Sequence, residues 1–281
     1  MVERRRFGNL LPHAILWLGI AVVVFPVYLA VVGSTHDAAT VANGMRLTPG
    51  AYTLENYYRT LFEGASRTAS QPVATMLFNS FVVAMAIAVG KIAISIISAY
   101  AIVYFRFPFR MTAFWVIFVT LMLPVEVRIY PTYKIVSDLG LLDTYTGLTL
   151  PLIASATATL LFRQFFMTIP DELVEASKID GAGPIRFFKD TVLPLARTNI
   201  AALFVILFIY GWNQYLWPLL ITTRDDMQTI VIGIKKIMVV TDGFTEWQLA
   251  MATAVLAMLP PVLVVVLMQR LFVKGLVETE K

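Results

Sequence analysis

Residues 175–194 read EASKIDGAGPIRFFKDTVLP and form a polar block between two long apolar runs. The block carries acidic and basic side chains, a Gly-Ala-Gly-Pro turn and a pair of phenylalanines. The flanking runs, residues 144–162 and 198–223, contain no Asp, Glu, Lys or Arg. An uncharged run of about 20 residues is long enough to cross a bilayer as a helix. The block is therefore expected to be a loop outside the membrane that joins two spans.

The composition indicates that the bilayer is the solvent of the whole chain. Of its 281 residues, 58% are hydrophobic and 14% are charged, whereas soluble domains carry about 25% charged residues. The mean hydropathy is +0.76. No cysteine is present, which excludes a disulfide framework, a cysteine-ligated metal and a thiol nucleophile. The net charge of +4 does not indicate nucleic acid binding, and His13 and His36 are too far apart to suggest a metal site.

Six segments are apolar enough to be predicted as membrane spans, and together they make residues 1–281 one transmembrane domain. The predicted spans are residues 14–33, 72–105, 111–130, 144–162, 198–223 and 247–269. Lys91 interrupts the second span. The third has an uncharged run of only 15 residues, about 22 Å of helix. It therefore draws Glu126 and Arg128 into the outer part of the membrane in order to cross.

The distribution of Lys and Arg orients the spans. An even number of spans places both termini on one side of the membrane. That side carries thirteen Lys and Arg, against eight on the other side when Arg128, at the outer end of the third span, is counted there. Because short cytoplasmic loops are enriched in Lys and Arg, both termini and the loop of residues 163–197 are predicted to be cytoplasmic.

The polar block is predicted to be two short helices joined by a turn. Pro170 suits a first helical turn, and Gly181 suits a helix end, because glycine tolerates the left-handed backbone found there. A second short helix is predicted to begin at Pro184. Two helices of this length cannot build a core of their own. The hairpin therefore docks on its own spans, on another protein or on lipid headgroups, and its mixture of acids and bases favours a protein partner.

The pattern Glu-Ala-Ser-x-x-Asp-Gly-Ala at residues 175–182 resembles the EAA loop of permease subunits of ABC-type importers. Ser177 stands where the usual pattern has alanine, an exchange of one small residue for another. GWNQYLWPLL at residues 211–220 and QRLFVKGL at residues 269–276 resemble the carbohydrate-type branch of that family. The resemblance implies an all-α integral membrane protein of a bacterial inner membrane. It implies six transmembrane helices in the type I ABC importer permease fold, with cytoplasmic EAA coupling helices.

The resemblance also implies partners. Permeases of this family work with a second homologous permease subunit, a homodimeric ATP-binding subunit and a periplasmic solute-binding protein. ATP and magnesium belong to the ATP-binding subunit, and no cofactor is expected on this chain. The sequence shows neither a phosphate-binding Gly-Lys loop nor a Ser-His-Asp set, so we expect a transport subunit and not an enzyme.

Residues that meet these partners follow from the resemblance. The EAA loop is the coupling element that fits a groove on the ATP-binding subunit. Its residues here are Glu175, Ala176, Asp180, Gly181, Phe187 and Phe188. In the related maltose system a periplasmic loop of a permease reaches into the binding protein. By this likeness the contact residues here are Gly233, Lys235, Lys236 and Phe244. The alternative is a loop that only covers the pore mouth.

Three further stretches resemble the members of the family that import sn-glycerol-3-phosphate. They are FVTLMLPVEVRIYPT at residues 118–132, GLTLPLIASATATLLFRQFFMTIPDELVEA at residues 147–176 and LFIYGWNQYLWPLLI at residues 207–221. The resemblance implies sn-glycerol-3-phosphate, or a related glycerophosphodiester, as the substrate. A sugar or polyol importer of the same family is the alternative, because a binding protein selects the substrate first.

Five polar residues inside the predicted spans are candidates for the substrate path. They are Lys91, Glu126, Arg128, Asn213 and Gln214. A charged or amide side chain inside a membrane usually faces a cavity or pairs with another polar group. Arg128 is the first candidate for an anion contact, because a guanidinium can bind phosphate through two parallel hydrogen bonds.

Each candidate also has a purely structural explanation. Glu126 and Arg128 reach the interface if Pro124 ends the third span, Lys91 pairs with Glu126 or with the second permease, and the two amides hold helices together. An ion-driven secondary transporter is a competing mechanism, and Glu126 is the only coupling carboxylate that a predicted span offers it. A membrane-embedded enzyme is disfavoured because no catalytic set is visible.

Overall fold

A computed structural model describes residues 10–44, 46–64, 71–120, 125–238 and 246–277. Throughout these ranges the chain forms helices and the turns that join them, with no β-strand. In chain order the α-helices are α1 (Leu10–Gly33), α2 (Ala38–Asn43), α3 (Thr53–Tyr58), α4 (Val73–Tyr104), α5 (Arg110–Val119), α6 (Val125–Asp138), α7 (Tyr145–Thr149), α8 (Ala156–Phe166), α9 (Asp171–Ile179), α10 (Pro184–Phe187), α11 (Leu193–Leu195), α12 (Arg197–Trp212), α13 (Leu216–Ile221), α14 (Ile230–Met238) and α15 (Trp247–Val277).

Three helices are long and apolar enough to cross a membrane unaided. They are Pro12–Gly33 within α1, Val73–Tyr104, which is the whole of α4, and Trp247–Leu271 within α15. They coincide with the predicted first, second and sixth spans. Large apolar side chains along α1 are exposed, among them Trp17 at 69%, as befits a helix whose surface meets lipid.

Two more apolar segments are broken helices. In the predicted fourth span, α7 continues into a 3-10 turn at Leu150–Leu152 and then meets α8 at an angle of 48°. Pro151 lies in that turn, where its missing N–H interrupts the helical hydrogen bonds. In the predicted fifth span, residues 213–215 separate α12 from α13. The segment Pro184–Leu195 is bent by 70° from α12.

The structure does not describe the third predicted span as one continuous helix. α5 is an apolar helix of 10 residues, and α6 begins at Val125. Residues 121–124 between them lie outside the described ranges. A continuous span over residues 111–130, and with it the count of six spans, therefore stays a prediction.

The chain divides into two compact units. The first comprises residues 1–76 and 232–259, and the second comprises residues 77–231 and 260–281. In the first unit the segment after α1 folds back on itself, because Asn56 Nδ2 donates to the carbonyl oxygens of Ser34 and His36 at 2.9 and 2.8 Å. Arg59 makes a two-bond ion pair with Glu246 at 2.8 and 3.0 Å.

The core of the second unit is formed by α4, α6, α7 and α13 with the turn after α7. Its buried residues are Val83, Ile87, Val136, Leu148, Leu152, Trp217 and Ile221. Helix α12 approaches α4 closely at Gly211, where a β-carbon would lie 2.9 Å from the Cα atom of Ala84. Small residues at such a crossing let two membrane helices pack backbone to backbone.

Replacing Gly211 by leucine should separate α12 from α4 and lower the free energy of unfolding by about 1–3 kcal/mol, the usual cost of overpacking. The measurement is unfolding of the purified protein in mixed micelles. Gly19→Leu is the matched control, because a β-carbon on Gly19 would meet no atom within 4 Å. Equal stability of the two variants would show that the Gly211 crossing is not a tight contact.

Candidate functional site

The polar block folds as the predicted helical hairpin. α9 ends at Ile179, and Gly181 has a φ of +70°. The N–H of Gly181 donates to Lys178 O at 3.0 Å, and the N–H of Ala182 donates to Ser177 O at 2.9 Å. This pair of bonds is a Schellman motif, which needs a left-handed residue at the position of Gly181. The predicted helix end at Gly181 and the predicted helix start at Pro184 are both confirmed.

The inner side of the hairpin is an aromatic contact with the end of α4. Phe187 is buried, at 5% exposure, and its ring centroid lies 5.3 Å from that of Tyr104. The ring of Phe188 lies 4.8 Å from that of Tyr100. The hydroxyl of Tyr100 also donates to Pro184 O at 2.7 Å. Phe187 and Phe188 thus hold the hairpin on its own chain, and their part in coupling stays a prediction.

The outer side of the hairpin is exposed. Glu175, Ala176 and Asp180 lie on it. So do Ile179, at 85% exposure, and Ile185, at 80%. Two large apolar side chains this exposed beside carboxylates form a surface suited to a protein partner. We call residues 175–185 the coupling surface.

A cavity of about 270 Å³ opens in the second unit beside the two helix breaks. Its described lining comes from α6, the turn after α7, the end of α12 and the start of α13. The lining residues are Arg128, Ile129, Thr132, Pro151, Leu152, Tyr210, Gln214, Leu216 and Trp217. Arg128 and Gln214, two of the five candidates for the substrate path, therefore share one cavity.

Lys91 contacts a residue that lines this cavity. Its side chain is 7% exposed, so the predicted interior position is confirmed. Its Nζ atom lies 3.9 Å from the ring centroid of Tyr210, which is a cation–π contact. Tyr210 lines the cavity, whereas Lys91 is not among the lining residues. Sequence reasoning missed Tyr210, because an aromatic residue in an apolar span gives no signal of its own.

The remaining candidates are less closely grouped. The side chain of Asn213 is exposed, and its backbone N–H donates to Ile209 O at 3.0 Å. Gln214 Nε2 donates to Tyr210 O at 3.2 Å. Both residues follow the last turn of α12. The backbone of Glu126 lies in α6, whereas its side chain is outside the described part of the structure, so its expected partners stay predictions.

The expected contact with a binding protein is partly helical. Gly233, Lys235 and Lys236 lie on α14, whereas Phe244 lies outside the described residues. Gly233 packs against Met76, whose Sδ atom would be 2.1 Å from an added β-carbon. The side chain of Lys235 is exposed. The segment through Met238 is thus a helix, and its contact with a binding protein stays a prediction.

Two polar anchors that sequence reasoning missed fix the ends of the spans. Asn79 Nδ2 donates to Asp226 O and Gln228 O at 2.8 and 3.0 Å. Asp143 Oδ1 accepts from the backbone N–H groups of Thr223 and Arg224 at 2.6 and 2.9 Å. Burial of Asp143 raises its pKa, but these N–H donors and the Thr223 hydroxyl outweigh that effect and hold the pKa below its usual value. Asn79, an amide inside a predicted span, could have been found from the sequence.

Comparisons with known proteins agree with this architecture. A family model described as "Binding-protein-dependent transport system inner membrane component" matches residues 91–278. The chain is 61% identical to the sn-glycerol-3-phosphate transport system permease protein UgpE of Rhizobium meliloti (strain 1021). It is 57% identical to the protein of the same name from Escherichia coli O157:H7. Both matches cover 100% of each chain.

A solved structure has the same fold. It is the crystal structure of a bacterial ABC transporter involved in the import of the acidic polysaccharide alginate. One of its chains superposes with a TM-score of 0.82 over 96% of this chain and 98% of that chain, at 20% sequence identity. The predicted all-α permease fold is therefore confirmed.

The family match covers most of the chain, and the relatives match it from end to end. The expectation of a transport subunit that is not an enzyme is confirmed by these relatives. This chain belongs to the family of inner membrane components of binding-protein-dependent transport systems.

Proposed function

We propose that the chain is one of two pore-forming subunits of an ATP-driven importer for sn-glycerol-3-phosphate or a related glycerophosphodiester. The substrate is supported by the names of the relatives, which are 57–61% identical over the full length. The coupling role is carried by one observation: the hairpin is anchored to α4 on its aromatic side and exposes Ile179 and Ile185 on the other.

The proposed assembly has three kinds of partner. A second homologous permease subunit completes the pore, and a periplasmic solute-binding protein delivers the substrate. A homodimeric ATP-binding subunit holds ATP and magnesium, because this chain has no phosphate-binding Gly-Lys loop and binds no cofactor of its own in this scheme. The segment that carries Gly233, Lys235 and Lys236, with Phe244 beyond it, is the proposed contact with the binding protein.

The proposed orientation places both termini and the coupling surface in the cytoplasm. It is supported by the excess of Lys and Arg in the loops on that side. In this orientation Glu175, Ala176, Asp180 and Gly181 face the ATP-binding subunit. A hairpin that lay on lipid headgroups would favour basic residues on its polar face, whereas Glu175 and Asp180 are acidic.

Uptake into proteoliposomes that hold this chain with its three proposed kinds of partner tests the identity of the substrate. Labelled sn-glycerol-3-phosphate should enter in an ATP-dependent manner, and glycerol and neutral sugars should not. Import of a neutral sugar or polyol in its place would assign the chain to the alternative substrate class. Uptake that continues without the ATP-binding subunit would instead favour an ion-driven mechanism.

Glu175→Gln should lower both transport and substrate-stimulated ATP hydrolysis by roughly tenfold, because a hydrogen bond to a charged group is lost at the contact. The amount of protein in the membrane should not change, since Glu175 is exposed. Glu172→Gln is the matched control, because it removes the same charge from the same helix but lies outside the coupling surface. Wild-type transport by the Glu175 variant would remove Glu175 from the coupling mechanism.

Gly181→Ala should impair coupling by straining the turn, because a left-handed backbone costs a residue with a β-carbon about 1–2 kcal/mol. Space is not the cause, since a β-carbon on Gly181 would meet no atom within 4 Å. Gly181→Asn should recover activity, because asparagine tolerates this conformation. Gly183→Ala, in equally open space but with φ of −70°, should behave as wild type. Stimulated ATP hydrolysis is the readout, and equal loss in the two alanine variants would contradict this explanation.

A further inference from the structure

We propose that Arg128 binds the phosphate group of the substrate in the cavity of the second unit, with Lys91 supplying a second positive charge from behind Tyr210. This inference rests on the proposed function, because it assigns a place within this chain to the anionic part of the substrate.

The charge around the cavity suits an anion. Arg128 lines the cavity, and the Nζ atom of Lys91 lies over the ring of Tyr210, another lining residue. Lys91 takes no part in the ion pairs found among the described residues. No described lining residue is acidic. Two basic side chains placed around one cavity, without a described counter-charge, create a positive potential that an anion would relieve.

The cavity lies where two predicted spans are broken. Its lining includes Pro151 and Leu152 at one helix break and Gln214 at the other. Both breaks fall inside predicted spans. Non-helical backbone at membrane depth is tolerated where it is buried in protein or lines a water-filled cavity, because its free N–H and C=O groups need partners. Broken spans that meet at one cavity are therefore suited to a polar substrate.

The size and the lining of the cavity suit a small phosphate ester. The cavity volume of about 270 Å³ is just below the range of roughly 300–1,000 Å³ for pockets that hold drug-sized ligands. A small phosphate ester fits this scale better than an oligosaccharide does. The guanidinium of Arg128 offers two parallel donors to phosphate, and Thr132 and Gln214 offer polar atoms to the hydroxyl groups of the substrate. Apolar Ile129 and Leu216 complete the wall.

The first experiment measures transport at saturating, substrate-loaded binding protein, so that the affinity of the binding protein does not enter. Arg128→Gln should lower the transport rate roughly tenfold or more, because a charge-assisted contact is lost. More ATP should be hydrolysed for each molecule moved, since the cycle proceeds without a held substrate. The transport rate of Arg128→Lys should fall between those of wild type and Arg128→Gln. Lys134→Gln, which removes an exposed charge from the same helix, should match wild type.

The proposed function and the assignment of Arg128 would be contradicted by different results. If the wild-type complex does not import sn-glycerol-3-phosphate, the proposed function is wrong. If wild type imports it and Arg128→Gln does so at the same rate with the same ATP consumption, the assignment of Arg128 is wrong. If the Arg128 variants do not accumulate in the membrane, the second experiment decides, because it leaves Arg128 in place.

The second experiment uses the absence of cysteine from this chain. Thr132→Cys places one thiol in the cavity, and Lys134→Cys places one on the same helix among residues that do not line it. Labelling by a thiol reagent is measured on this chain in the assembled complex. sn-Glycerol-3-phosphate, delivered by its binding protein, should slow labelling at position 132 several-fold and leave position 134 unaffected. Equal labelling of position 132 with and without substrate would overturn the proposal.

A phospholipid headgroup offers the same phosphate chemistry, so the labelling is repeated in vesicles of phosphatidylcholine and of phosphatidylglycerol. Protection by sn-glycerol-3-phosphate in both lipids supports a substrate site. Protection that follows the phosphatidylglycerol content and ignores the substrate would make the cavity a lipid site and overturn the proposal.

Discussion

The contact between the aromatic rings of α4 and those of the hairpin connects the two functional regions of the chain. Tyr100 and Tyr104 pack against Phe187 and Phe188, and the Tyr100 hydroxyl donates to Pro184 O. Close-packed aromatic contacts resist sliding because every ring is surrounded on several sides. Lys91 lies nine residues before Tyr100 on the same helix, about 14 Å along its axis. A force on the coupling surface therefore reaches the neighbourhood of the cavity through one continuous helix.

Around the cavity the dominant constraint is the need of backbone groups for hydrogen-bond partners inside a membrane. The chain breaks two helices there and satisfies part of the released groups with side chains. Trp217 Nε1 donates to Gly147 O at 3.2 Å, and Gln214 Nε2 donates to Tyr210 O at 3.2 Å. Asp143 accepts from the backbone at the far end of the fifth span. These hydrogen bonds hold the two helix breaks in place. The cavity that the breaks line is therefore part of the fold of the second unit.

Much of this could be predicted from the sequence, and the omissions have physical causes. Hydropathy found the long helices, and Gly181 and Pro184 located the turn of the hairpin, because these signals are local. The break at residues 213–215 was not placed, since an uncharged run does not show where its backbone hydrogen bonds are interrupted. The inward direction of Phe187 and the role of Tyr210 depend on packing between distant helices, which no local pattern records.

Rigid attachment of the hairpin to α4 is the central claim, and pulsed electron paramagnetic resonance tests it directly. Spin labels are placed on cysteines that replace the exposed residues Phe78, near the start of α4, and Lys189, in the hairpin. The positions Phe78 and Tyr100 are about 33 Å apart along the helix, a distance suited to the method. In the assembled complex the distance between the labels should be the same with and without ATP. A change of one helical turn, about 5 Å, or more would show that the hairpin moves on α4 and would contradict the account.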